Sequence, residues 1–127
     1  MADKIAKEVA EQEFKRMCEL ARVDTDENEM DEESKAAWRA LKASLVKLIC
    51  KGDLVVAPDG KPTYAGITFS APTGATMMAL ETYPENKKIG NMAAAMCDMT
   101  GSDAGAFSRL HAKDFNVCSK ICNLFLG

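Results

Sequence analysis

The sequence is poor in the residue types on which catalytic sites depend. It has one histidine, so any catalytic triad with a Cys or Ser nucleophile would have to use His111 as its base. Its eight glycines never form the G-x-x-x-x-G-K or G-x-G-x-x-G patterns that bind phosphate groups through backbone N–H donors. These two absences predict that the protein is not an enzyme.

Long apolar runs and an excess of basic residues are absent as well. No run approaches the roughly 20 apolar residues that a membrane-spanning helix needs. The N-terminal residues carry both charge signs, which is not typical of a secretory signal. The formal net charge of −3 argues against binding to nucleic acid through overall phosphate neutralisation. We therefore expect a cytoplasmic, soluble protein with no membrane and no nucleic-acid partner.

The charged residues that are present are unevenly distributed. The 127 residues predict a single domain. Within it, residues 1–53 carry ten Lys or Arg and thirteen Asp or Glu, whereas residues 54–127 carry six of each. We call residues 1–53 the charged front segment and residues 54–127 the neutral back segment.

Apolar periodicity predicts two helices in the front segment. Apolar residues recur at three- and four-residue steps from Asp3 to about Val23 and again from about Asp31 to Lys51. The acids at the start of the second helix suit the positive end of its dipole, and Gly52 is well placed to end it.

The pattern changes at Leu54. Residues 54–57 and 64–69 are β-prone and flank a Pro-Asp-Gly turn signal, which predicts a β-hairpin, with Pro62 at an edge or in the loop. From there on the sequence is helical in three or four short pieces. The predicted helices run from Pro72 to about Tyr83, from Pro84 to Gly101, from the cap Ser102-Asp103 to Leu110, and from the cap Asp114 onward. The fold class predicted is α+β, mostly helical, with one central β-hairpin.

The five cysteines are too scattered to predict disulfides. Cys118 and Cys122 lie one helical turn apart and His111 precedes them, but a structural zinc site usually has four ligands. We therefore expect free thiols that pack in the core, with no metal and no cofactor. The cysteines are Cys18, Cys50, Cys97, Cys118 and Cys122.

An acidic stretch between the first two helices offers an alternative function. Asp24, Asp26 and Asn28 match loop positions 1, 3 and 5 of an EF-hand. Position 6 is Glu29 instead of Gly, and position 12 is Lys35 instead of the bidentate Glu. We favour a solvated acidic turn. A Ca²⁺-responsive helix–loop–helix protein and an unrelated cytoplasmic adaptor remain the alternatives.

Methionine is frequent in the back segment. Each methionine alone is more typical of core packing, but an unbranched thioether side chain can also re-pack against irregular partners. Because few charges surround them, we expect some of these residues to form a partner-binding surface or an oligomer face. The candidate contacts are Met77, Met78, Met92, Met96 and Met99.

The back segment carries an ordered series of short motifs. It begins with Leu54 to Gly60, and it continues with Ile67-Thr68-Phe69 leading into Pro72-Thr73-Gly74. Further along come Met99-Thr100-Gly101, then Leu110 and Asp114-Phe115, and finally Phe125-Leu126-Gly127. In this order and spacing, residues 54–127 resemble the small tail assembly chaperones of long-tailed bacteriophages.

The resemblance implies a function in virion assembly. Such a protein is made in the infected bacterium or from a resident prophage, coats the tape measure protein, and keeps it soluble until tail tube protein displaces it. It is non-enzymatic, self-associates into a homo-oligomer, and is absent from the mature virion. The resemblance does not extend to the front segment.

Overall fold

The structure is a computed structural model that describes residues 4–126. These residues form a mostly helical α+β fold, as the sequence predicts. The helices are α1 (Lys7–Ala21), α2 (Glu32–Lys51), α3 (Gly74–Ala79), α4 (Lys88–Thr100), α5 (Ala104–Ser108) and α6 (Ala112–Leu126), with a short 3₁₀ helix at Glu27–Glu29. The strands are β1 (Leu54–Val56), β2 (Pro62–Tyr64) and β3 (Ile67–Thr68).

Local hydrogen bonds determine where the two front helices begin. Asp31 caps α2, because its Oδ1 accepts a hydrogen bond from the backbone N–H of Ser34 at 2.7 Å. The first helix begins at Lys7, later than predicted, and the Asp3 start lies outside the described residues. The backbone N–H groups of Lys4 and Ile5 instead donate to the carbonyl of Cys50 at the end of α2, at 2.8 and 3.1 Å. This segment therefore ties α1 to α2 and does not extend the helix.

The predicted hairpin is present, but its second strand was predicted wrongly. The 64–69 stretch bends at Ala65 and Gly66, which both have positive φ angles of 51° and 77°, as a two-residue type I′ turn requires. The result is a three-stranded antiparallel sheet in the order β1-β2-β3. Pro62 opens the central strand, contrary to the edge or loop position expected. It is tolerated there as the first residue of the strand.

The start of α6 also differs from the prediction. The helix begins at Ala112, and the Nδ1 atom of His111 accepts a hydrogen bond from the backbone N–H of Lys113 at 3.0 Å. Asp114 is therefore not the cap but lies in the first turn. Its Oδ1 accepts a hydrogen bond from the Tyr64 hydroxyl at 2.8 Å. Asp114 thus joins the sheet to α6.

One hydrophobic cluster joins the front and back segments. Phe14, Leu45 and Ile49 from the front helices pack in the same buried core as Phe69 and Phe125 from the back. Phe69 and Phe125 meet edge to face, with ring centroids 6.5 Å apart. The front segment therefore supplies core side chains as well as a charged surface.

The turn between β1 and β2 fits tightly against α1, and this predicts a sensitive position. A Cβ atom on Gly60 would lie 2.6 Å from the carbonyl oxygen of Arg16, and the φ angle of Gly60 is +94°. We expect Gly60→Ala to lower the free energy of unfolding by about 3 kcal/mol, from backbone strain together with the clash. Chemical denaturation measures the loss.

Gly66 provides the matched control. Its φ angle of +77° is also positive, but no atom lies within 4 Å of the position that a Cβ would occupy. Gly66→Ala should therefore cost only about 1 kcal/mol. Equal losses in the two variants would show that the contact between the turn and α1 is not tight.

Candidate functional site

The short helix α3 is fixed against α4 by a polar contact. Thr76 is fully buried, its hydroxyl donates to the carboxylate of Asp98 on α4, and its Oγ1 accepts from the backbone N–H of Thr73 at 3.0 Å. The same residue therefore starts α3 and anchors it. The two following side chains face outward, and Met77 and Met78 are 53% and 75% exposed.

The loop that follows α3 is held by one buried amide. Asn91 on α4 accepts a hydrogen bond from the backbone N–H of Tyr83 at 2.8 Å, and its Nδ2 donates to the carbonyls of Tyr83 and Pro84 at 3.2 and 3.3 Å. A buried side chain that bonds the loop backbone on both sides fixes the path of residues 80–87. These bonds tie the backbone at Tyr83 and Pro84 to α4.

This conformation leaves two large apolar side chains exposed next to each other. Tyr83 lies over Gly90, where a Cβ atom would be 3.1 Å from the Tyr83 ring. Tyr83 is 52% exposed and Ile89, in the first turn of α4, is 72% exposed. Both side chains line a cavity of about 770 Å³ together with Pro84.

A second cavity adjoins the first. It has a volume of about 560 Å³ and lies between the loop, α4 and the end of α6. The two cavities share Tyr83 and Lys88. We call the combined surface the Tyr83 groove. Its apolar lining includes Leu80, Tyr83, Ile89, Met92, Cys122 and Leu126.

The rim of the Tyr83 groove carries both charge signs. Glu81 and Glu85 lie on the side toward α6, and Lys87 and Lys88 lie beside Ile89. No ion pair links any of these four side chains to another residue within 4–126. An apolar strip bordered by charges is the arrangement that an amphipathic helix recognises.

The five methionines predicted as partner contacts do not lie together. Met77 and Met78 are on the surface of α3, and Met92 is half-buried in the Tyr83 groove. Met96 and Met99 are 0% and 3% exposed and belong to the core. In this structure only the first three are available to a partner.

Sequence reasoning missed several residues of the groove. Leu80 and Tyr83 fall in the predicted helix that starts at Pro72, and Ile89 falls in the predicted helix that starts at Pro84. The available signal was Pro84, which ends helical structure near Tyr83 and places the residues around it in a loop. Nothing in the sequence marks Leu126 as a groove residue.

The Asn91 amide provides a test of how the loop is held. Asn91→Ala removes three hydrogen bonds and leaves the loop backbone groups without partners, so we expect a loss of about 2 kcal/mol in the free energy of unfolding. Amide exchange in residues 80–87 should become faster. Asn86→Ala, an exposed change in the same loop, is the control and should alter neither quantity. Unchanged exchange in the Asn91 variant would contradict the assigned role.

The cysteines are free thiols, as the sequence predicts. Burial raises the pKa of Cys18, Cys118 and Cys122 to about 11, so these thiols stay protonated and unreactive at neutral pH. His111 is exposed at the start of α6. In the described part of the chain, no group of three or more His, Cys, Asp or Glu side chains is arranged to hold a metal ion.

The acidic stretch forms a series of local turns. The backbone N–H of Asp26 donates to Asp24, and that of Asn28 donates to Asp26, both at 2.9 Å. Glu27 accepts a hydrogen bond from Arg39 at 2.7 Å, which lowers the pKa of its carboxyl. The carboxylates thus bind backbone and Arg groups, as in a solvated acidic turn.

None of the helices within residues 4–126 is both long and apolar enough to cross a bilayer. Comparison of the chain with models of protein families, with curated proteins and with solved structures finds no significant match.

Proposed function

We propose that this protein is a tail assembly chaperone of a long-tailed bacteriophage, which binds the tape measure protein and keeps it soluble during tail assembly. The exposed Tyr83 groove carries the proposal, because it offers a partner helix an apolar strip that is bordered by charges. The protein acts in the cytoplasm of the infected or lysogenic bacterium and is not a component of the mature virion.

The groove suits a helical partner that has a repeating apolar stripe. Tyr83 offers a rigid ring, Met92 offers a flexible thioether, and Ile89 protrudes from the rim, while Met78 is exposed on α3 outside the residues that line the groove. Flexible apolar side chains adapt to many different stripes, so one groove can bind successive segments of a long helix. Because the contact area is small, each segment binds weakly, and several copies along one partner supply the total affinity.

Three of the motifs that carry the resemblance belong to elements beside this groove, which is a second line of support. Pro72-Thr73-Gly74 leads into α3, and Met99-Thr100-Gly101 ends α4. Leu126, in the last motif, lines the groove itself. Among the residues that carry the resemblance, Leu126 lines the groove, and Thr73 and Gly101 cap α3 and α4.

Two further properties belong to the proposal. Displacement by tail tube protein requires weak individual contacts, which a small apolar groove provides. Self-association into a homo-oligomer would present several grooves to one tape measure chain and raise its effective affinity.

Co-expression tests the proposal. A fragment of a bacteriophage tape measure protein is produced in bacteria with and without this protein, and the soluble fraction of the fragment is measured. We expect the fragment to be mostly insoluble alone and mostly soluble with its partner. An unrelated aggregation-prone helical fragment is the control and should stay insoluble.

Two outcomes would count against the proposal. If the tape measure fragment is equally insoluble in both cultures, the protein is not its chaperone. If both fragments are rescued equally, the protein is a non-specific adaptor.

A further inference from the structure

The front segment has a groove of its own, whereas the Tyr83 groove is formed by the back segment. It has a volume of about 400 Å³ and lies between α1 and α2. We call it the α1–α2 groove. Its apolar lining is the exposed Ala43 and a floor formed by Val46 and Cys50, which are 6% and 5% exposed. Its charged lining is Lys7, Glu11, Arg39, Lys42 and Lys47.

The α2 side of this groove is a continuous stripe. Arg39, Ala43, Val46 and Cys50 follow one another at steps of three or four residues, so they share one face of the helix. The eleven residue steps from Arg39 to Cys50, at 1.5 Å each, make the stripe about 16 Å long, or three helical turns. This length accommodates about three turns of a partner helix.

The charges around the stripe are segregated by sign. The front segment has more acids than bases, thirteen against ten, yet four bases and only one acid line the groove. The ammonium groups of Lys7, Lys42 and Lys47 have no carboxylate within 4.0 Å among residues 4–126. A surface with unpaired positive charge around an apolar centre is complementary to an acidic, amphipathic partner.

The chain's own acidic turn already supplies one carboxylate to the end of this surface. Glu27 bonds Arg39 at 2.7 Å, and both residues line an adjoining cavity of about 650 Å³ that shares Glu11, Arg39 and Lys42 with the groove. Trp38, the only tryptophan, lines the same adjoining cavity. Arg39 therefore already has a carboxylate partner, whereas Lys7, Lys42 and Lys47 have none within residues 4–126.

We propose that the α1–α2 groove binds an acidic amphipathic helix of a partner protein. The helix sets apolar side chains against Ala43, above the floor that Val46 forms, and its carboxylates against Lys7, Lys42 and Lys47. This site is independent of the proposed chaperone function, because it lies outside the Tyr83 groove. Its binding depends on charge, whereas binding in the Tyr83 groove depends on flexible apolar side chains.

Titration of the full chain with a synthetic peptide tests this inference. The peptide has about 15 residues, enough for the three turns of the stripe and its ends, with leucines at three- and four-residue steps between glutamates. Fluorescence anisotropy of the labelled peptide and the emission of Trp38 both report binding. We expect saturable binding that weakens with added salt.

The Lys residues supply the variants. Lys42→Glu combined with Lys47→Glu should weaken peptide binding at least about tenfold and favour a peptide in which lysines replace the glutamates. Lys42→Gln with Lys47→Gln removes the charge with less risk to folding and should weaken binding by several fold. Lys61→Glu with Lys113→Glu makes the same charge change outside the groove and is the control, which should bind as the wild type does.

Four results would overturn the inference. The first two are that the wild type does not bind the peptide at millimolar concentration, or that it binds the acidic and basic peptides equally. The other two are that the control variant loses as much affinity as the Lys42, Lys47 variants, or that a peptide of the same composition with scattered leucines binds equally well. A fifth result would overturn it as well. If the wild type self-associates and the Lys42→Glu, Lys47→Glu variant does not, the groove binds a second copy of this chain and not a separate partner protein.

Discussion

The double variant Met78→Asp, Ile89→Asp is expected to lose the ability to solubilise a tape measure fragment while the protein stays folded. Ile89→Asp places a carboxylate in the Tyr83 groove, and Met78→Asp places one on the exposed surface of α3. An unpaired charge that a partner buries at either position costs several kcal/mol of binding free energy. Because both side chains are exposed in the free protein, the free energy of unfolding should change by less than about 0.5 kcal/mol. The soluble fraction on co-expression and chemical denaturation measure the two effects.

Two exposed valines provide a matched control for this variant. Val9 on α1 and Val55 on β1 are 46% and 58% exposed and lie outside the Tyr83 groove. Val9→Asp combined with Val55→Asp adds the same two charges to the apolar surface elsewhere, so it should preserve solubilisation. If the Met78, Ile89 variant is folded and still solubilises the fragment fully, the Tyr83 groove is not the binding site.

Phe69→Ala is expected to lower the free energy of unfolding by about 4 kcal/mol. Phe69 is fully buried and packs edge to face on Phe125, so its removal leaves a large cavity. This is a large part of the roughly 5–15 kcal/mol that stabilises a typical domain. Because one core joins the front and back segments, the transition should move equally in far-UV circular dichroism and in the fluorescence of Trp38 on α2.

Val55, an exposed residue on β1, provides the control for Phe69→Ala. Val55→Ala removes apolar atoms from the outer face of β1 and should shift stability by less than about 0.5 kcal/mol. If Phe69→Ala shifts the circular dichroism transition but not the Trp38 transition, the front and back segments unfold separately.

The parts of the fold that the sequence predicts best depend on local chemistry. Asp31 and Asp103 each cap a helix at the predicted position, because an Asp side chain bonds a backbone N–H three residues on wherever a helix begins. The bend at Ala65 was missed because Ala has no intrinsic preference for positive φ. Only its place before Gly66 in a tight hairpin holds it there. The cap at Asp114 was wrong because His111 takes that position.

The binding surface was harder to predict than the fold for a different reason. Met92, Met96 and Met99 lie at similar helical steps, and the periodicity predicts one face for all three. Whether such a residue is exposed depends on which neighbouring element covers it. Met96 and Met99 lie in the core, whereas Met92 lies at the Tyr83 groove. The role of Asn91 was equally hidden, because it depends on a loop whose path the sequence does not specify.

Hydrogen exchange of the complex with a tape measure fragment tests the central claim most directly. The protein alone and the protein bound to the fragment are compared amide by amide. The account predicts slower exchange on binding in residues 77–92, which include the exposed methionines of α3, the loop held by Asn91 and the first turns of α4. A stable complex in which residues 77–92 exchange as fast as in the free protein would contradict it.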